Sequence, residues 1–382
     1  MKKTLIALAV FGTFSGAAMA NSVTLYGLID MGVTHFTGIA PTNGGNGTVG
    51  NGTVSSTGLS SGVQNGSRIG LKGDEDLGGG LKAIFDAETG FCAVGRNQAG
   101  TTLQTAGNRT YCTGGGFMQR QSYLGLAGDF GTVLAGRVYT TNFNDEAAVD
   151  PFGWGLTGNI GNMSLAAQLN AARANQVVAY VSPNFSGFSF VGAYVFAPNP
   201  QGTVPTASGN GANVPRAYTI DGTYAAGPVM VGATYTEVTN VTQQNALATT
   251  VNDGSVKLWD VRGSYDFGVA KLSGIYESDK IAYTTGNNKF WMLGATVPVG
   301  PGSILASYAE AKNDQLAGTP TGKQYAIGYT YNLSKQTDLY TSYAHIANSN
   351  GAAFTVGDST DGFKGVANQA SSGFAIGIDH KF

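Results

Sequence analysis

The last nine residues, FAIGIDHKF, alternate strictly. Phe374, Ile376, Ile378, His380 and Phe382 fall on one face of an extended segment, and Ala375, Gly377, Asp379 and Lys381 on the other. The same period of two recurs from end to end, in segments of about ten residues bounded by turn residues. Clear examples are VTLYGLIDMGV from Val23, SRIGLKGD from Ser67, LKAIFDAE from Leu81, FSFVGAYVF from Phe188, VKLWDVRGSYDF from Val256 and KQYAIGYTY from Lys323. Counted along the chain, such segments predict 16 strands and an all-β fold.

The connections add independent information. Short ones (for example Asp129–Gly131, Ala225–Pro228 and Val299–Gly302) alternate with long ones near residues 37–66, 90–118, 140–174, 197–215, 238–255, 280–288, 312–322 and 347–371. Regular short–long alternation predicts an antiparallel transmembrane β-barrel with short periplasmic turns, long extracellular loops and both termini on the short-turn side. No mature stretch approaches 18 uninterrupted apolar residues, so helical spans are not expected. Lys2, Lys3, the apolar run Leu5–Phe14 and Ala18-Met19-Ala20 read as an export signal over 1–20, leaving 21–382 as the barrel.

Composition agrees. Only 12% of residues are charged and 58 of 382 are Gly, which suits strands and turns. Without Lys2 and Lys3 the chain carries 19 basic and 23 acidic side chains, a balance with no nucleic-acid footprint. Cys92 and Cys112 sit in one long connection of an exported chain and are expected to form a disulfide. His35, His345 and His380 are too scattered for a metal set, and no motif pairs a nucleophile with a placed base, so neither a cofactor nor catalysis is expected.

Alternation also assigns charges to faces. Ile69 and Leu71 are read as outward, placing Arg68 and Lys72 inward. Leu81, Ala83 and Phe85 are read as outward, placing Lys82 inward with Asp86 and Glu88. Leu134 and Gly136 are read as outward, placing Arg137 inward. A lipid-facing cation near the midplane would cost about 2–4 kcal/mol, which favours these inward assignments.

VTLYGLID after the signal, GLKGDEDLGGGLKAIFDAE, SYLGLAGDFGTVLAGR and the ending GIDHKF together resemble the general diffusion porins of Gram-negative bacteria, particularly the betaproteobacterial type. The resemblance spans the mature chain and departs from the usual ending at Asp379, where a basic residue is common. It implies a homotrimer in the outer membrane passing small hydrophilic solutes and ions, with a third loop folded into the lumen. Pro151-Phe152-Gly153 resembles that loop's tip, and SLAAQLNAARA after it is the best helical stretch in the chain, with Arg173 as a possible C-terminal cap. Arg68, Lys72, Lys82 and Arg137 on the wall would then face Asp145, Glu146 and Asp150 on the loop across a constriction. Phe374, Ile376, Ile378, His380 and Phe382 resemble the terminal signal read by the outer-membrane assembly machinery. A substrate-specific channel, an adhesive barrel and a barrel enzyme are the competing readings.

Overall fold

The structure, a computed structural model, describes residues 22–41, 52–94, 118–168, 172–197, 216–244, 250–282, 284–357 and 364–382; the segment 1–20 and Cys112 lie outside them. The strands are β1 (Ser22–Ile39), β2 (Val54–Ser61), β3 (Arg68–Gly78), β4 (Leu81–Gly90), β5 (Gln121–Gly128), β6 (Gly131–Tyr139), β7 (Arg173–Val181), β8 (Phe188–Ala197) and β9 (Arg216–Ala226). They continue as β10 (Val229–Gln244), β11 (Thr250–Asp266), β12 (Lys271–Ile281), β13 (Asn288–Val299), β14 (Gly302–Asn313), β15 (Thr321–Asn332), β16 (Thr337–Ser349) and β17 (Ser371–Lys381).

These segments form a closed antiparallel barrel of 16 wall positions. β1 pairs with β17 on one side. On its other side its lower half pairs with β3 (Leu25↔Leu71) and its upper half with β2 (Val33↔Leu59). β2 and β3 are therefore one wall strand interrupted over 62–67. Two expected boundaries change. Part of the first long connection is wall strand, and β10 and β11 continue their ladder to Gln244↔Thr250, shortening the fifth. Closure leaves no unpaired sheet edge, the condition for crossing a bilayer with strands.

One face of every strand is apolar and exposed, as at Leu124 (65%), Ile220 (62%), Leu293 (61%) and Ile376 (52%). Aromatic residues band this face at two levels. Phe130, Phe185, Phe188, Phe267 and Phe382 lie by the short turns; Tyr218, Trp259 and Tyr325 lie toward the loops. Two such girdles mark the two membrane interfaces. At the seam, Phe382 exchanges backbone hydrogen bonds with Gly27 (3.0 and 3.1 Å).

The apolar core is not at the barrel centre. It lies between the third connection and the inner wall. Val149, Phe152, Trp154, Leu156, Ile160, Met163 and Leu165 pack on Leu258, Ile275, Phe290, Met292, Ala309, Ala326 and Tyr340, which alternate with the outward rows of β11–β16. Burial of this stripe, at roughly 25 cal/mol per Å² of apolar surface, is what holds the segment inside the barrel.

Candidate functional site in the barrel lumen

The third connection begins with α1 (Thr141–Val149), where no helix was expected. Thr140 caps it, its hydroxyl accepting from Phe143 N (3.2 Å), and Asp150 is extended because Pro151 follows. Among the described residues of the favoured helical stretch 164–174, Leu165–Gln168 form α2 and Arg173 already opens β7. Packing of the apolar stripe against the wall, rather than helix propensity, decides this segment.

The tip docks on the interruption of the second wall strand. Leu156 N donates to Val63 O (2.6 Å), and Gly155 lies against the Gln64 backbone, where a Cβ would meet its carbonyl oxygen and lie 2.7 Å from its carbonyl carbon. Gln64 N and Asn65 N donate to Asp30 Oδ2 (2.6 and 2.5 Å), Tyr340 Oη donates to Asp30 Oδ1 (2.5 Å), and Asn65 Nδ2 donates to Asp379 Oδ2 (2.6 Å). Asp379 thus joins a buried network beneath the barrel seam.

The three loop carboxylates do not face the pore; each is buried against the wall or the loop itself. Asp145 binds Arg262 of β11 (2.7 Å) and accepts from Thr234 (2.6 Å); Arg262 also binds Asp221 (2.6 Å) and Asp260 (3.0 Å). Burial pushes the Asp145 carboxyl up to about 8, with Arg262 pulling the other way. Glu146 accepts from Trp154 Nε1 (2.6 Å), and burial beside Glu277 drives its carboxyl well above the usual range. Asp150 accepts from the backbone N–H groups of Phe152, Trp154 and Ile160 (3.0–3.1 Å); burial still raises it to about 6. Among the described residues, the exposed ones of the segment are neutral: Asn144, Ala148 and Gly153.

A sector of inner wall from β3 to β7 carries a cluster of basic residues. Arg68 Nε is 3.5 Å from Glu88, and Lys72 is exposed with its ammonium 5.1 Å over the Tyr26 ring. Tyr26 Oη donates to Asp86 (2.8 Å) and Glu88 (3.2 Å). Arg120 binds Glu88 (2.5 Å) and the Tyr139 hydroxyl, which also accepts from Arg173 (2.8 Å). Arg173 lies 4.3 Å over the Tyr139 ring, and that ring stacks on Phe143 of α1 at 4.7 Å. Arg173 is therefore part of this cluster rather than a helix cap.

Lys82 pairs with Asp74 (3.2 Å) just past the short turn, apart from the others. Arg137 departs from expectation. It lies opposite Ser122, in the outward row of Leu124, Leu126, Val133 and Ala135, while Leu134 packs inward against the patch containing Val177 and Ala179. Both rows of this strand are apolar, so alternation alone could not choose between them. Gly136 takes φ +145° at a ladder shift, and the Arg137 guanidinium donates to Gln119 O and Asn175 Oδ1 (both 2.5 Å). The sequence reading missed Arg120 and Arg262. Alternation in KLWDVRG would have found the second, since Leu258, Asp260 and Arg262 share one face.

A family model for Gram-negative porins matches residues 4–351. Outer membrane porin protein 32 of Delftia acidovorans is 35% identical and an outer membrane porin protein of Bordetella pertussis 31% identical, each aligned over the whole of both chains. An anion-selective porin from Comamonas acidovorans superposes with a TM-score of 0.74 at 29% identity, covering 94% of this chain and 99% of that one. The outer membrane protein OmpT of Vibrio cholerae, with a TM-score of 0.61 at 16% identity, shares the fold.

Proposed function

Because this chain belongs to the Gram-negative porin family, and is an outer-membrane channel for passive diffusion, we propose that its constriction carries a net positive field and passes small anions in preference to cations. The observation that supports this most is the burial of Asp145, Glu146 and Asp150, while Lys72 and part of Arg68 remain open to the lumen. On the inner wall from β3 to β7 four cations (Arg68, Lys72, Arg120, Arg173) cluster with two carboxylates (Asp86, Glu88), a formal 4 − 2 = +2. Across a gap comparable with the ~8 Å screening length, that field persists and raises the local anion concentration. The neutral exposed side of the loop does not oppose it. The anion-selective Comamonas porin is similar in fold and sequence, which favours the same sign.

The test is the zero-current potential across a potassium chloride gradient in a planar bilayer. Native protein should prefer chloride, and Lys72→Glu and Arg68→Glu should each move the potential toward cation preference. A native preference for potassium, or no shift in either variant, would overturn the reading. Lys82→Glu, at the short-turn rim, should change little.

The same reading treats the channel as a homotrimer, exported by residues 1–20, with no catalytic role. His345 Nδ1 lies 2.8 Å from Ser372 Oγ, but on the outward face and away from the solute path. Phe374, Ile376, Ile378, His380 and Phe382 serve as the assembly signal. Cys92 is disulfide-bonded, and Cys112 is proposed as its partner. Mass mapping of the oxidised protein checks that pairing.

A further inference from the structure

Tyr139 is where the basic cluster and the third loop meet. It ends β6 and lies directly opposite Arg173 across the ladder to β7, and its neighbour Thr140 caps α1. Directly opposed residues share a face of the sheet, so strand register alone brings the Arg173 side chain to this ring.

The hydroxyl and the ring hold different things. A hydroxyl oxygen has two lone pairs. Arg120 Nη2 and Arg173 Nη2 (2.8 Å) both donate to this one, so both acceptor positions serve guanidinium groups. Arg173 also stands 4.3 Å over the ring and Arg120 5.9 Å from its centroid, and Arg120 is tied from another side by Glu88 (2.5 Å). On the loop side the ring stacks on Phe143 of α1 (4.7 Å, 11° between planes). Phe143 meets Trp154 at 4.9 Å, and the indole donates to Glu146 (2.6 Å). An unbroken line of contacts thus runs from the two arginines to the buried tip of the loop.

The two arginines are 1% and 3% exposed, whereas Lys72 is open to the lumen. Two like charges converge on one neutral oxygen in a site closed to water. Charge-assisted hydrogen bonds to that oxygen, and the Glu88 carboxylate behind one of the pair, offset their repulsion.

We propose that Tyr139 is a positioning residue of the pore. Its hydroxyl keeps Arg120 and Arg173 folded against the wall, and its ring fixes that arrangement against α1. The solute path therefore meets less positive charge than the sector carries, and stays wider. This rests on the reading that the cluster sets the sign of the pore field; it adds the residue that sets the strength.

Tyr139→Phe keeps the ring, its stack on Phe143 and the cation–π contact, and removes only the acceptor. The guanidinium groups that lose it turn toward the nearest water, in the lumen. One more charge within about one screening length (~8 Å) of the path changes the chloride-to-potassium permeability ratio about twofold. Single-channel recording in a planar bilayer, which reads only folded and inserted protein, should show the zero-current potential moved toward chloride preference and a lower unit conductance. The same substitution is then repeated with Arg173→Gln and with Arg120→Gln in place. The shift should shrink in at least one of these backgrounds, since each removes a cation that the hydroxyl restrains. A tyrosine that only filled space would add current noise and leave the potential where it was. A native potential in Tyr139→Phe, or a full-sized shift in both arginine backgrounds, would overturn the proposal. Failure of the constriction reading looks different: the native channel would itself prefer potassium. Native chloride preference with an unmoved Tyr139→Phe potential would refute the role of Tyr139 alone.

Discussion

Gly155→Ala tests how the third loop is held. Gly155 is not at positive φ, so alanine adds no backbone strain of its own, and the perturbation is purely steric. Ordinary contact begins near 3.4 Å, and the new Cβ would lie 2.7 Å from the Gln64 carbonyl carbon, so the tip must retreat by at least 3.4 − 2.7 = 0.7 Å. The adjoining Leu156 N to Val63 O bond then stretches from 2.6 Å to at least 3.3 Å, beyond the usual range. Weakening a buried hydrogen bond and straining a packed contact together cost about 2–4 kcal/mol. Trp154 and Leu156, on either side, hold left-handed backbones (φ 63° and 56°) that docking must offset at about 1–3 kcal/mol each, so the tip has little margin. A shift of that size moves the docked–undocked equilibrium by roughly 30- to 700-fold. Single-channel records in a planar bilayer should show added current noise and larger substates, and the loop should become open to protease. The heat resistance of the barrel should be native, because the wall ladders do not involve Gly155. Native noise and native protease resistance in this variant would refute the docking argument.

Arg262→Leu should weaken loop docking by about 3–5 kcal/mol, since Asp145, Asp221 and Asp260 lose the side chain that bridges them; native current noise in this variant would count against it. The native channel should also respond to pH. Asp150 and Asp145 are raised by burial to about 6 and about 8, so docking is strongest below their ordinary range near ~3.9 and weakens as pH rises through those values. Current noise should therefore increase, and anion preference decrease, between pH 4 and pH 8; the opposite trend would mean that the docked carboxyls are ionised throughout. Deleting Phe382 removes the last paired residue of the seam and the end of the proposed assembly signal, so outer-membrane yield should fall sharply, while molecules that do assemble should conduct normally. Normal yield of the deletion variant would rule out the signal role.

Alternation alone fixed which residues of β3, β4 and β17 face out, because a closed sheet in lipid tolerates only one apolar arrangement of a period-two strand. The short–long rhythm of connections likewise pointed to strand number and antiparallel order, and Arg68, Lys72, Asp86 and Glu88 lie on the inner face as alternation placed them. Alternation failed at Arg137, where Val133, Leu134 and Ala135 make both rows apolar and only the ladder register to β5 and β7 decides. It had nothing to say about Asp145, Glu146 and Asp150, because a loop has no period. Their burial follows from contacts far away in sequence: Arg262, Trp154 and Glu277 around them, and the interrupted strand at Gly62–Ser67 that receives the loop tip. Register across the wall has the same origin: that Lys257 lies opposite Lys280 and Lys289 opposite Lys312 is set by the barrel as a whole, and no single strand announces it.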